Sequence, residues 1–223
     1  QDIICAYGIC VIGSVSISEL YFIGVRPQVV SYPSGSVDNP YMKGYTFIIR
    51  NKGMEGIEMR ILLINGSPKG KRSNSLKLAY SFIKGLENGC TSNKEELSVD
   101  ELHIASMNIG ACKGCFTCWQ KTPGRCCIND DMQTVIKKLI SADLILWSFP
   151  LYYFNVPGML KNLIDRQLPM SLPFMSSRQD GYGSGSHDAR YDMEGKRHVL
   201  ISTCGFYSAN ENYDSVLLSL IHI

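Results

Sequence analysis

The run Met59-Arg60-Ile61-Leu62-Leu63-Ile64-Asn65-Gly66-Ser67-Pro68-Lys69-Gly70-Lys71-Arg72-Ser73-Asn74-Ser75 joins an unbroken apolar stretch to a loop of small and polar residues. A stretch so short and continuous reads as a strand covered on both faces. Ser73 then caps a helix whose Leu76, Ala79, Ile83 and Leu86 share one stripe, with Gly89 as its stop signal. Strand, polar loop and helix together make half of a parallel βαβ unit.

Working outward, the same design recurs. Ala142-Asp143-Leu144-Ile145-Leu146-Trp147-Ser148 is a second buried strand, and it runs into Phe149-Pro150-Leu151-Tyr152-Tyr153-Phe154-Asn155-Val156-Pro157-Gly158. Pro157 suits a first helical turn, and Leu160, Leu163 and Ile164 carry that helix inward. His198 to Thr203 supplies another strand, followed by Cys204-Gly205-Phe206-Tyr207, while Glu96 to Ile104 is a strand candidate with imperfect alternation. Asn129, Asp130 and Asp131 open a helix with Met132, Val135, Ile136, Leu139 and Ile140 on its buried face. Alternating strands and helices predict an α/β fold, a doubly wound parallel sheet with right-handed crossovers. Pro169 to Gly195, rich in Ser, Gly and Pro and carrying Tyr182 and Tyr191, reads as an excursion over a pocket or a partner subunit.

With 223 residues, 45% apolar content and a net charge of +2, the chain can bury one sizeable core. The near-neutral balance, without basic blocks interleaved with aromatics, gives no support for a nucleic-acid partner. The start lacks a basic head and a small-residue cleavage site, and Glu19 interrupts its most apolar stretch, so no membrane span or export is expected and a cytoplasmic protein is the default.

The two ends read differently from the middle. Residues 1–58 have no stripe that connects to the α/β pattern, and Met59 resembles a natural amino terminus, so 1–58 is expected to be a translated leader or other non-native extension. Residues 59–217 form the expected domain. The chain stops soon after the fourth strand, and 218–223 resembles an adaptor-derived tail, so the sheet is expected to be truncated before strand five with an exposed edge.

In open α/β sheets, ligands collect beyond the carboxyl ends of the strands where strand order reverses. Ser67, Ser73 and Ser75 offer hydroxyls, Asn74 an amide, Lys71 or Arg72 charge, and Gly66 a close backbone approach, all beside a helix amino terminus suited to a phosphate. A capped surface turn would use the same residues. The loop is neither a Gly-Lys-Ser/Thr phosphate loop nor Gly-x-Gly-x-x-Gly. Tyr152, Tyr153 and Phe154 are costly to expose, and a flavin ring is a flat apolar partner, although an aromatic cluster closing the core would serve too. Thr203-Cys204-Gly205 sits where a third wall is needed.

The runs Asn65-Gly66-Ser67-Pro68, Pro150-Leu151-Tyr152 through Val156-Pro157-Gly158 with Lys161-Asn162-Leu163-Ile164-Asp165-Arg166, and Ser202-Thr203-Cys204-Gly205-Phe206 resemble the NAD(P)H-dependent FMN reductase and iron–sulfur flavoprotein group. The resemblance covers Met59 to about Asp214. It implies a flavodoxin-like sheet of order 2-1-3-4-5, bound FMN, hydride uptake from NADPH or NADH, and a homodimer. It places phosphate contacts on Ser67, Ser73, Asn74 and Ser75, and ring contacts on Pro150, Leu151, Tyr152, Tyr153, Phe154, Asn155, Thr203, Cys204 and Gly205.

Of nine cysteines, Cys112-x2-Cys115-x2-Cys118-x7-Cys126 is compact and regular, which points to metal ligands in a reducing compartment. The tight first three resemble ferredoxin-type ligation of a [4Fe-4S] cluster, and four thiolates also suit zinc or redox-active thiols. Cys127 leaves the fourth ligand ambiguous, and Lys113, Lys121 and Arg125 would offset negative charge or simply be solvated. The four histidines form no ligand pair, and no catalytic side chain is required, because a flavin would carry the chemistry. The expected activity is an FMN-dependent NAD(P)H oxidoreductase passing electrons to a quinone, flavin, nitro compound or protein acceptor. The rivals are an electron-transfer iron–sulfur flavoprotein served by a ferredoxin-like partner, and an FMN protein with a structural zinc.

Overall fold

The computed structural model describes residues 3–6, 9–14, 59–93, 96–177, 185–205 and 212–220, with backbone alone for 3–6, 9–14, 89–93, 217 and 218. Strands β1 (Ile3–Ala6) and β2 (Ile9–Ser14) precede β3 (Met59–Asn65), helix α1 (Asn74–Asn93) and β4 (Leu97–His103). Then come α2 (Thr117–Gln120), α3 (Met132–Ser141), β5 (Leu144–Pro150) and α4 (Gly158–Asp165). The chain continues through β6 (Ser171–Ser176), β7 (Ser186–Ala189), β8 (Arg197–Thr203) and α5 (Asp214–Leu220).

One six-stranded sheet has the order β1-β2-β8-β5-β3-β4. β4, β3, β5 and β8 are mutually parallel neighbours, so the order reverses between β3 and β5. Strand burial explains the layering. Along β3, Ile61 and Leu63 pack with Leu76, Ala79, Ile83 and Leu86 of α1, while Leu62 and Ile64 pack with α3 and α4 on the other face. A strand with both faces covered has no polar position to spare, which is why its sequence is an unbroken apolar run.

Four details differ from the sequence expectation. The edge of β8 is not bare among the described residues: β2 pairs with it antiparallel, from Ile9 opposite Thr203 to Ser14 opposite His198. Helix α1 continues past Gly89 to Asn93. Pro157 is the residue before α4 rather than inside its first turn, and α5 runs through the 217/218 boundary, with Leu220 buried. The excursion contains the β6–β7 hairpin, which lies over the cysteine segment: Trp119 Nε1 donates to the Leu168 and Ser171 carbonyls, its ring meets His187 at 4.9 Å, and Tyr191 Oη donates to Gly124 O. Tyr182 lies outside the described residues, and no helix among those described is long and apolar enough to cross a membrane.

Candidate functional site

The loops after β3, β5 and β8 meet in one cleft of about 180 Å³, lined by Ser67, Lys69, Ser73, Asn74, Pro150, Leu151, Tyr152, Thr203, Cys204 and Gly205. Parallel strands bring this about, because all three end at the same sheet edge. A backbone bond from Leu151 N to Thr203 O, 2.8 Å, stitches the second loop to the third.

The first loop is organised by Asn65, fully buried at the end of β3. Its Nδ2 donates to Gly70 O at 2.9 Å and lies 3.1 Å from His103 Nδ1, while its Oδ1 accepts from Ser67 N. His103 Nε2 in turn pairs with Glu101 at 3.1 Å. Ser73 Oγ accepts from Leu76 N and bonds Ser75 Oγ at 2.8 Å, which caps α1. The N–H groups of Asn74 and Ser75, in the first turn, have no intrahelical acceptor by helix geometry and are the donors an anion would meet. Lys69 supplies the positive charge on the cleft wall, whereas the sequence reading put it on Lys71 or Arg72, which do not line the cleft. Ser75 sits one layer below, buried behind Ser73. Gly66 is required for another reason than ligand approach: a Cβ there would stand 2.5 Å from Leu160 Cδ2 of α4.

In the second loop, Tyr152 and Asn155 exchange backbone bonds of 2.9 Å around Tyr153 and Phe154, whose φ values are +46° and +61°. Two positive φ values in succession define a type I′ turn, a conformation ordinarily left to Gly, Asn or Asp. Pro150, Leu151 and Tyr152 line the cleft, but Tyr153 is 100% exposed, and neither it nor Phe154 or Asn155 is part of the wall. Asn155 works as a brace: Oδ1 accepts from Val156 N and Nδ2 donates to Ser219 Oγ of α5. In the third loop Thr203, Cys204 and Gly205 line the cleft, and Phe206 and Tyr207 lie outside the described residues.

A second, small cavity is lined by Cys112, Cys115, Cys118, Cys126 and Cys127, with Lys113 on its border. Among the described residues no three His, Cys, Asp or Glu side chains stand as a ready single-ion cage. Five cysteines line this one cavity, a donor set of thiolates that suits an iron–sulfur cluster or zinc. Hydrogen bonds from Thr117, then Cys127, lower the Cys115 thiol to about 7. Burial, then the charge of Cys126, raises Cys118, while the hydrogen bond with Cys115 raises Cys127.

Arg166, just after α4, also borders this cavity, and nothing local in the sequence links it to its partner 36 residues away. It is 1% exposed, forks onto Asp130 at 2.8 and 2.9 Å, and donates to Gly110 O at 2.8 Å. Burial opposes its charge, yet the bond to Asp130 and the charge of Cys126 raise its pKa. Asp130 is held below the usual carboxylate range by Arg166 and by Gly110 N and Met132 N, against the opposing effect of burial.

A family model described as Flavodoxin-like fold matches residues 59–221. An iron–sulfur flavoprotein of Archaeoglobus fulgidus is 36% identical over 111 residues, 50% of this chain and 46% of that protein. FMN-dependent NADH:quinone oxidoreductase 2 of Pseudomonas syringae pv. tomato is 34% identical over 119 residues, 48% of this chain and 53% of that protein. The solved structure of a putative quinone reductase from Klebsiella pneumoniae covers 74% of this chain and 69% of its own, at 23% identity and a TM-score of 0.49. The chain thus spans about half the length of the curated relatives it matches.

Proposed function

Because this chain belongs to the Flavodoxin-like fold family, we propose that it is an FMN-dependent oxidoreductase that takes electrons from NADH or NADPH and passes them to a quinone, flavin, nitro compound or protein acceptor. The observation that carries the reading is the meeting of three strand-end loops in one cleft with donors at one end and an apolar wall at the other. The residues fit the cofactor. Ser67, Lys69, Ser73 and the first-turn N–H groups of α1 would hold its phosphate, with no carboxylate in the lining to oppose it.

Pro150, Leu151 and Tyr152 would cover the ring, and Thr203 to Gly205 would address its edge. Bound FMN would supply the hydride-accepting chemistry that no side chain here possesses. The protein's work is to orient the ring, exclude water from one face and place backbone donors where negative charge accumulates on reduction. The cysteine cavity favours a second component, a [4Fe-4S] cluster on Cys112, Cys115, Cys118 and Cys126, and with it the rival role of an electron carrier served by a ferredoxin-like partner. In the assembled enzyme a second copy of the chain would cover exposed Phe174 and Met175 of β6.

Anaerobically purified protein is expected to carry FMN and to bleach on titration with NADH or NADPH. Bleaching only with a reduced ferredoxin-like donor would favour the carrier. Colourless protein that takes up no FMN at about micromolar concentration overturns the reading.

A further inference from the structure

We propose that Arg166 is the positioning cation of the cysteine cavity: it selects Cys126, rather than adjacent Cys127, as the fourth thiolate ligand and donates from Nε–H to the sulfur anions there. This rests on the iron–sulfur reading above. Arg166 is 1% exposed and borders the cavity beside Cys126. Its terminal nitrogens are committed to Asp130 and to Gly110 O, so the guanidinium is fixed in orientation. Its Nε–H, also buried, has no hydrogen-bond partner among the described residues. A buried donor on a cation is costly to leave unpaired, and a thiolate or sulfide in this cavity is the partner that would satisfy it.

The two candidate thiols stand differently. Cys126 is half-buried and its carbonyl accepts from Gln133 Nε2, whereas Cys127 is exposed, 3.7 Å from Cys115 Sγ. Asp130, which braces Arg166, also accepts from Gly110 N and Met132 N, and Asp131 exchanges bonds with the Asn108 backbone. The same ion pair therefore closes the neck of the cysteine-bearing loop and places charge beneath its sulfurs. A cation there favours the more negative, reduced cluster.

The test uses anaerobically purified full-length protein, read by iron and sulfide content and by the cluster's midpoint potential. Arg166→Met is made in an Asp130→Asn background, so that no carboxylate is stranded, and is compared with Asp130→Asn alone. Loss of the cation is expected to disfavour reduction about tenfold, ~59 mV for a one-electron couple. Cys127→Ala is expected to keep wild-type iron and Cys126→Ala to lose it, a comparison that stands even if the Arg166 variant does not fold. An unchanged potential, or the reverse cysteine pattern, overturns the proposal while leaving the cluster reading intact. Wild-type protein without iron and sulfide overturns both.

Discussion

At the scale of single residues, two positions do work that their types alone do not reveal. Gly66 has no special backbone angle to satisfy; its missing side chain makes room for Leu160, which is fully buried against it. Gly66→Ala is expected to cost about 1–3 kcal/mol through overpacking, seen as a lower denaturation midpoint; an unchanged midpoint would show that α4 shifts freely. His198 stands beside Trp147, whose Nε1–H donates to His198 Nδ1 at 3.1 Å, so the imidazole must be neutral. Burial, then the nearby Lys196 charge, pushes it down to about 4 from 6.5. A group with a depressed folded pKa that is neutral when deprotonated contributes stability fully above 6.5, and that contribution is lost as pH falls through about 4. The unfolding free energy from urea titrations is expected to fall between pH 6.5 and 4 by up to about 1.4 kcal/mol per pH unit, and His198→Gln should remove that share of the slope. Equal slopes in the two proteins would refute the assignment.

Among the elements, the tight turn after β5 carries the clearest strain. Tyr153 and Phe154 hold left-handed backbone angles that cost about 1–2 kcal/mol per residue for ordinary side chains, and Tyr153 returns nothing through burial, being fully exposed. Strain of this kind gathers at functional loops, where surrounding contacts over-determine the conformation. Here the cross-turn bonds of Tyr152 with Asn155 and the Asn155 brace to α5 do so. Tyr153→Asn, a residue that tolerates this conformation, is expected to stabilise the fold by about 1 kcal/mol and raise the thermal midpoint by about 2–4 °C. A lower midpoint would mean that the aromatic side chain is needed where it stands.

For the molecule as a whole, the sheet's two edges are unequal. β4 is the edge on one side, and on the other the antiparallel β2, itself paired with the short edge strand β1, covers the N–H and C=O groups of β8. Protein beginning at Met59 would expose that edge, and bare edges invite pairing between chains. Light scattering is expected to show concentration-dependent self-association of the shortened protein and less of it in the full chain; identical behaviour would mean that β2 is dispensable. Loaded with FMN at 100 times its Kd, either form should gain about 2.7 kcal/mol of stability by mass action.

Sequence alone determined the local grammar: which runs are buried strands, where Ser73 starts a helix, and that Ser67, Asn74, Pro150, Leu151, Tyr152 and Thr203 to Gly205 lie at the strand ends and the junctions that follow them. Burial on both faces and helix capping act within a few residues, so they leave a readable pattern. Only the tertiary structure decided that Lys69 rather than Lys71 faces the cleft, that Tyr153 and Asn155 turn away from it, that β2 lies against β8, and that Arg166 reaches Asp130 beneath the cysteines. Those outcomes depend on side-chain direction and on contacts between segments far apart in the chain, which leave no periodic trace in the order of residues.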